Sequence, residues 1–230
     1  MRRYVETAAG HENVARTERL LERIVPDSKL HARFVNTLAR LEYVGVRKIL
    51  KSRRSDRLDL DGIQHILDEA VHTLRLKKAA VALGVASGAQ AQVDVDLDVD
   101  VRTFADSATL AGDAGEHYLQ ALDHRAEEAL GDLPAGERAE ANYLLTSAAV
   151  EVRAQVFYPL YERILKKCGA GFSVAAISKD EDRHLDEMAA GLGANLADWQ
   201  RRLEPLLAAE EALFARFLGA VEEAVAHAHG

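Results

Sequence analysis

A repeated pattern of glutamate and histidine constrains this chain more than any other feature of its 230 residues. In chain order it runs Glu42, Glu69-x-x-His72, Glu151, Glu181-x-x-His184. Glu42 precedes Glu69 by 27 residues and Glu151 precedes Glu181 by 30. Each interval suits one helix, a turn and the return helix. Positions i and i+3 of a helix share a face, so each Glu-x-x-His pair presents a carboxylate and an imidazole in the same direction. If both segments fold as helical hairpins, four carboxylates and two imidazoles can converge. That is the donor set of a two-metal site inside a helix bundle.

The rest of the chain favours helices of the required length. Ala, Leu, Glu and Arg dominate, all good helix formers, and only Pro26, Pro134, Pro159 and Pro205 interrupt. Weak periodicity predicts a short helix over about 12–24. Pro26-Asp27-Ser28 is a start signal for a helix to about Lys51, with Leu30, Phe34, Val35, Leu38, Ala39, Leu41, Val46 and Ile49 as its apolar stripe. After a charged connection, a helix from about Leu60 to Leu83 is expected to bury Ile63, Ile66, Leu67, Ala70, Val71 and Leu74, with Gly84 and Gly88 ending it. Residues 93–101 alternate Val or Leu with Asp, which reads as an extended segment whose four aspartates guard an exposed edge. A helix over about 113–130 follows. Next comes one over about 137–167, with Pro159 as a kink point. Ser178, with Glu181 three residues on, has the capping-box pattern for a helix reaching about Leu203. Pro205 sits near the start of a last helix. The expected fold is all-α and a single domain over 1–230. Its core hairpins span about 28–83 and 137–203, its crossover 84–136 and its C-terminal helix about 205–228.

Position argues for ligation more strongly than the motif does. A chain with nine His yields nearly one Glu-x-x-His by chance. Glu42, however, lies among Leu38, Ala39, Gly45, Val46 and Ile49, and Glu151 among Leu144, Ser147, Ala148 and Ala154. A buried carboxylate without a partner is costly and protonates; a cation removes that objection. Both pairs also fall on the second helix of a hairpin whose first helix carries a core-facing Glu.

In these motifs the chain resembles the ferritin-like diiron-carboxylate superfamily, over roughly residues 28–203. The resemblance implies a ferritin-like antiparallel four-helix bundle with a long crossover and additional flanking helices. It implies two Fe ions, with Fe/Mn as the alternative, held by Glu42, Glu69, His72, Glu151, Glu181 and His184. Glu69 and Glu181 would bridge, Glu42 and Glu151 would be terminal, and each histidine would hold one ion. A hard, oxygen-rich donor set without thiolate fits iron or manganese. Asp68 and Asp180 are candidates to hydrogen-bond an imidazole from the neighbouring helix, as ligating histidines usually require. Tyr43, Tyr143 and Tyr158 are near enough to line the site, although core packing is the plainer role for each. His117 and His124 read as surface residues.

Within that superfamily an O2-activating oxygenase or hydroxylase acting on an organic substrate is the favoured reading. Paired Cys for a rubredoxin module are absent, and the long crossover suits a cage poorly. The alternatives are an iron-binding or oxidative-stress protein without organic substrate, and a non-metal interaction protein in which Glu42 and Glu151 pair with Arg40, Arg47 or Arg153. Expected partners are dioxygen, a small apolar or amphipathic substrate and an electron-donor protein, with a homodimer left open. The net charge of −8 disfavours nucleic acid. Only the cluster Arg47, Lys48, Lys51, Arg53, Arg54 and Arg57 speaks for tRNA, and a solvated helix end is its plainer reading. Cys168 is alone, no signal core opens the chain, and no window reaches a membrane span of roughly 20 apolar residues. A cytoplasmic protein without a membrane partner is the expectation.

Overall fold

The computed structural model describes residues 1–53, 58–86 and 101–228. Among these, eight α-helices and one short 3-10 turn (Asp106–Ala108) form the fold, without strands. The helices are α1 (Arg2–Ala9), α2 (Glu12–Ile24), α3 (Ser28–Ser52), α4 (Leu60–Ala86), α5 (Ala114–Ala129), α6 (Ala135–Cys168), α7 (Ala175–Asn195) and α8 (Trp199–His227). None is long and apolar enough to cross a membrane. The extended segment expected over 93–101 falls outside the described residues except for Val101, which is buried in a turn.

Local chemistry sets most of the boundaries. Asp27 caps α3 by accepting from the backbone N–H of Lys29 and Leu30, both at 3.0 Å. Gly169, in the left-handed region at φ 66°, closes α6, where a side chain would be strained. Pro159 is accommodated inside that helix. Three boundaries depart from expectation. Gly84 lies within α4, which continues to Ala86. Ser178 does not cap α7, which begins one turn earlier; the exposed end is satisfied instead by Glu162 of α6, which accepts from Val174 N at 2.8 Å and Ser173 Oγ at 3.0 Å. Finally, α7 stops at Asn195 and not near Leu203. Leu196 takes an extended conformation and turns into the core, and α8 starts before Pro205, leaving that proline inside it.

α3 doubles back as α4 and α6 doubles back as α7, and the two hairpins face one another. α5 and α8 cover the α3 and α6 side, while α1 and α2 pack on α6 and α8. The cover is fastened by a buried ion pair. Arg153 of α6 meets Glu210 and Glu211 of α8, both at 2.7 Å, and Tyr118 of α5 donates to Glu210 at 2.7 Å. Removing one member would strand a buried charge.

The largest departure concerns α4. Ile63, Leu67 and Leu74, expected in the core, are about half exposed, and Ala70 is exposed as well. The face turned inward carries Gly62, His65, Glu69, His72, Leu76 and Ala80. The helix is rolled so that its polar residues, and not its most apolar ones, meet the interior.

Candidate metal centre

All six residues singled out by the repeat converge between the two hairpins. Glu42 comes from α3, Glu69 and His72 from α4, Glu151 from α6, and Glu181 and His184 from α7. A seventh, His65, joins them. The donor atoms fall into two overlapping groups, His65, Glu69, Glu151 and His184 in one and Glu42, Glu69, His72 and Glu181 in the other. Within each group they lie within 4.8 Å of one another, so each could hold a metal ion. Glu69 belongs to both. Glu181 also spans them, with Oε1 3.2 Å from His72 Nδ1 and Oε2 3.1 Å from His184 Nδ1.

The histidines are oriented from behind. His72 turns Nε2 to Asp180 at 3.2 Å, and His184 turns Nε2 to Asp68 at 3.4 Å. Each aspartate precedes the glutamate of the opposite pair, so the two motifs brace one another across the centre. An aspartate that accepts from Nε2–H leaves the Nδ1 lone pair facing inward, the tautomer a cation requires. His65 is turned the other way. Its Nδ1 meets the Tyr143 hydroxyl at 2.9 Å, and its Nε2 stands 3.2 Å from Glu69 Oε1 and 3.7 Å from Glu151 Oε1. Its ring stacks on that of His184 with centroids 4.1 Å apart. Tyr158 donates to Glu42 Oε1. Thus two of the three tyrosines contact the site, while Tyr43 is exposed and stacks on Phe104. A Cβ on Gly45 would lie 3.1 Å from Glu69 Oε2, so this glycine leaves the carboxylate its room.

Buried like charges make the cluster costly without a cation. Burial and the neighbouring Glu42 and Glu181 push the Glu69 carboxyl well above the usual range, and burial and Glu181 do the same to Glu151. Burial opposes a charge on His72, but Glu181 and Glu42 raise it to about 10. Burial also opposes a charge on Glu181, yet His184, His72 and Glu151 hold its carboxyl below the usual range. Burial and the charge of His184 lower His65 to about 3. Two buried donor atoms of the cluster, His72 Nδ1 and Glu151 Oε2, lack a hydrogen-bond partner. A cation would satisfy both and replace the protons, so the residues fit a bound metal.

The arginines that would neutralise Glu42 and Glu151 in a non-metal protein are engaged elsewhere. Arg40 pairs with Asp106 at 3.1 Å and Glu116 at 3.0 Å, Arg47 with Glu116 at 3.1 Å, and Arg153 with the α8 glutamates. His117 and His124 are exposed beside Asp113 and Glu128. In the basic cluster, Lys48 pairs with Asp123, and Arg53 is largely buried, with its guanidinium 5.5 Å from the Tyr143 ring centroid. That is not the freely solvated helix end expected for these two; Arg54 and Arg57 lie outside the described residues.

A cavity of about 620 Å³ reaches the carboxylates from the covered side. Leu38, Leu41, Val150, Ala154 and Phe157 form its walls, Phe214 and Phe217 its roof, and Glu42, Glu69, Glu151 and Glu181 its floor. Comparison with known proteins returns no match from any family model, curated protein or solved structure.

His65 is the functional candidate that the repeat did not reveal. It lies four residues before Glu69 and seven before His72, so helical spacing alone places all three on one face.

Proposed function

We propose that this chain is a ferritin-like protein with a dimetal carboxylate centre that oxidises an organic substrate with dioxygen. The observation that carries this reading is the pair of overlapping donor groups sharing Glu69 beside an apolar cavity. Four carboxylates and three imidazoles without thiolate suit two iron ions, or iron with manganese. Iron bound there would supply electrons to dioxygen.

The residues have separable tasks. Glu69, common to both donor groups, would hold the two ions together with Glu42, His72, Glu181, His65, Glu151 and His184. Asp68, Asp180 and Tyr143 fix the imidazole orientations through the contacts at 3.4, 3.2 and 2.9 Å. Tyr158 steadies Glu42. The apolar walls from Leu38 to Phe157 would hold the apolar part of a substrate against the floor of carboxylates. A protein that only stores iron needs no such chamber beside its metal site.

Anaerobic loading with Fe(II) followed by air tests this reading. The expected result is about two irons per chain, with near-ultraviolet absorption that develops only on oxygenation. Uptake continuing far beyond that ratio would favour iron storage. Absence of stoichiometric iron and manganese would overturn the assignment.

A further inference from the structure

Five threonines of the described residues lie in helices. Four of them, Thr7, Thr17, Thr37 and Thr73, donate to the backbone carbonyl four residues back, at 2.9, 2.7, 3.0 and 2.9 Å. That bond is the ordinary outlet for a threonine hydroxyl in a helix. Thr146 of α6 is the fifth, and it makes none. The residue is only 5% exposed, and its Oγ1 has no hydrogen-bond partner among the described residues. A buried hydroxyl left unpaired is costly, and valine would fill the same space without that cost. Thr146 also lines the chamber above the carboxylates.

On α6, Thr146 shares an edge with Val150, Arg153 and Phe157, which line the same chamber. The charge of Arg153 is taken up by Glu210 and Glu211, both at 2.7 Å, so this edge offers an anion no free charge. Threonine in a helix takes either of two χ1 wells, which lets the hydroxyl turn towards a molecule in the chamber. A hydroxyl donates once and accepts twice, so it suits a neutral alcohol, phenol or carbonyl. Phe157, Phe214 and Phe217 around the chamber suit a ring. We propose that Thr146 hydrogen-bonds a neutral oxygen function of the substrate, a hydroxyl or carbonyl carried by an apolar ring. Glu151 follows Thr146 by five residues, roughly 7.5 Å of helix rise, so the ring lies between this anchor and the carboxylate floor. This rests on the chamber being the substrate's, as proposed above, and adds which substrates it admits.

Equilibrium dialysis of the iron-loaded chain, without oxygen, against 2-naphthol and against naphthalene is the test. The two probes share a ring system and differ in one hydroxyl. Thr146→Val, which keeps the shape of the side chain, should weaken 2-naphthol binding roughly tenfold and leave naphthalene within about twofold. Thr146→Ser, which keeps the hydroxyl, should hold 2-naphthol close to the wild-type affinity. Without any probe, Thr146→Val should melt a few degrees higher than the wild-type chain, because the unpaired hydroxyl is gone. Equal losses for both probes, no loss for either, no binding of either probe to the wild-type chain, or a lower melting temperature for Thr146→Val would each overturn the proposal. Thr146 holds no ion, so iron counted on the same samples decides the metal reading separately. A chain without iron sinks the centre, and a loaded chain without the selective loss sinks the role of Thr146 alone.

Discussion

The two hairpins carry the same glutamate and histidine repeat but differ one turn before the pair. On α4 the residue four positions before Glu69 is His65; on α7 the residue four before Glu181 is Ile177, fully buried in the core. One side of the centre therefore has two imidazoles and two carboxylates, and the other has one imidazole and three carboxylates. A sequence repeat does not make equal sites. The side with more carboxylates is the harder of the two, and the His65 side tolerates softer cations better. Substitution at the shared residue and at the unshared one should separate them. Glu69→Gln, which weakens both donor groups, is expected to reduce bound metal from about two ions per chain towards none. His65→Ile, which copies the α7 arrangement, should leave about one ion, retained by Glu42, His72 and Glu181. Metal counting after dialysis reads both. Equal losses in the two variants would break the comparison.

The crossed aspartates sharpen it further. Asp180 supports His72 on the carboxylate-rich side, and Asp68 supports His184 on the imidazole-rich side. Asp68 also pairs with Arg183 and accepts from Gln64 at 2.8 Å, so its position is fixed from several directions. Asp180, a third exposed, has among the described residues His72 and a distant Arg75 beside it. Asp180→Asn should lower affinity for one ion by roughly 10–100-fold, the usual effect of losing such support. Competition with a chelator of known strength would measure it, and an unchanged affinity would mean that helix packing alone orients His72.

How much of this was legible depended on whether the cause was local. The Asp27 cap follows from its immediate neighbours, and the intervals of 27 and 30 residues put the six donors on paired helices, between which the structure brings them together. The start of α7 does not follow from its neighbours, because its free N–H is taken by Glu162 from another helix and no capping signal near Ser178 could report that. The rolled α4 misled for a related reason. Its apolar residues form a good stripe, and the rule that such a stripe faces the core fails when the opposite face carries His65, Glu69 and His72. His65 itself was visible as a spacing, but its inclusion rests on its reach to Glu151 and its stacking on His184, both supplied by the second hairpin.

The smallest expected effect distinguishes the metal-free centre from the loaded one by pH. His72, raised from 6.5 to about 10, keeps a proton that the unfolded chain has lost, and Glu69 and Glu151 do the same above the ordinary carboxylate range. A raised value gives stability that is fully present below the unfolded value and disappears as pH climbs through the folded one. The lowered groups act elsewhere. Glu181 loses its contribution as pH falls below the ordinary carboxylate range, and His65 loses its contribution as pH falls from 6.5 towards 3. Between pH 6.5 and 10, therefore, the shifted groups of the cluster act in one direction, and the metal-free protein should melt at progressively lower temperature. With a cation in their place the same donors have no protons to lose, and metal affinity itself rises with pH. The melting temperatures of chelated and metal-supplemented protein should diverge across this window by several degrees. Parallel curves would mean that the donors carry no proton load when empty, and that the inequality between the two sides is one of geometry alone.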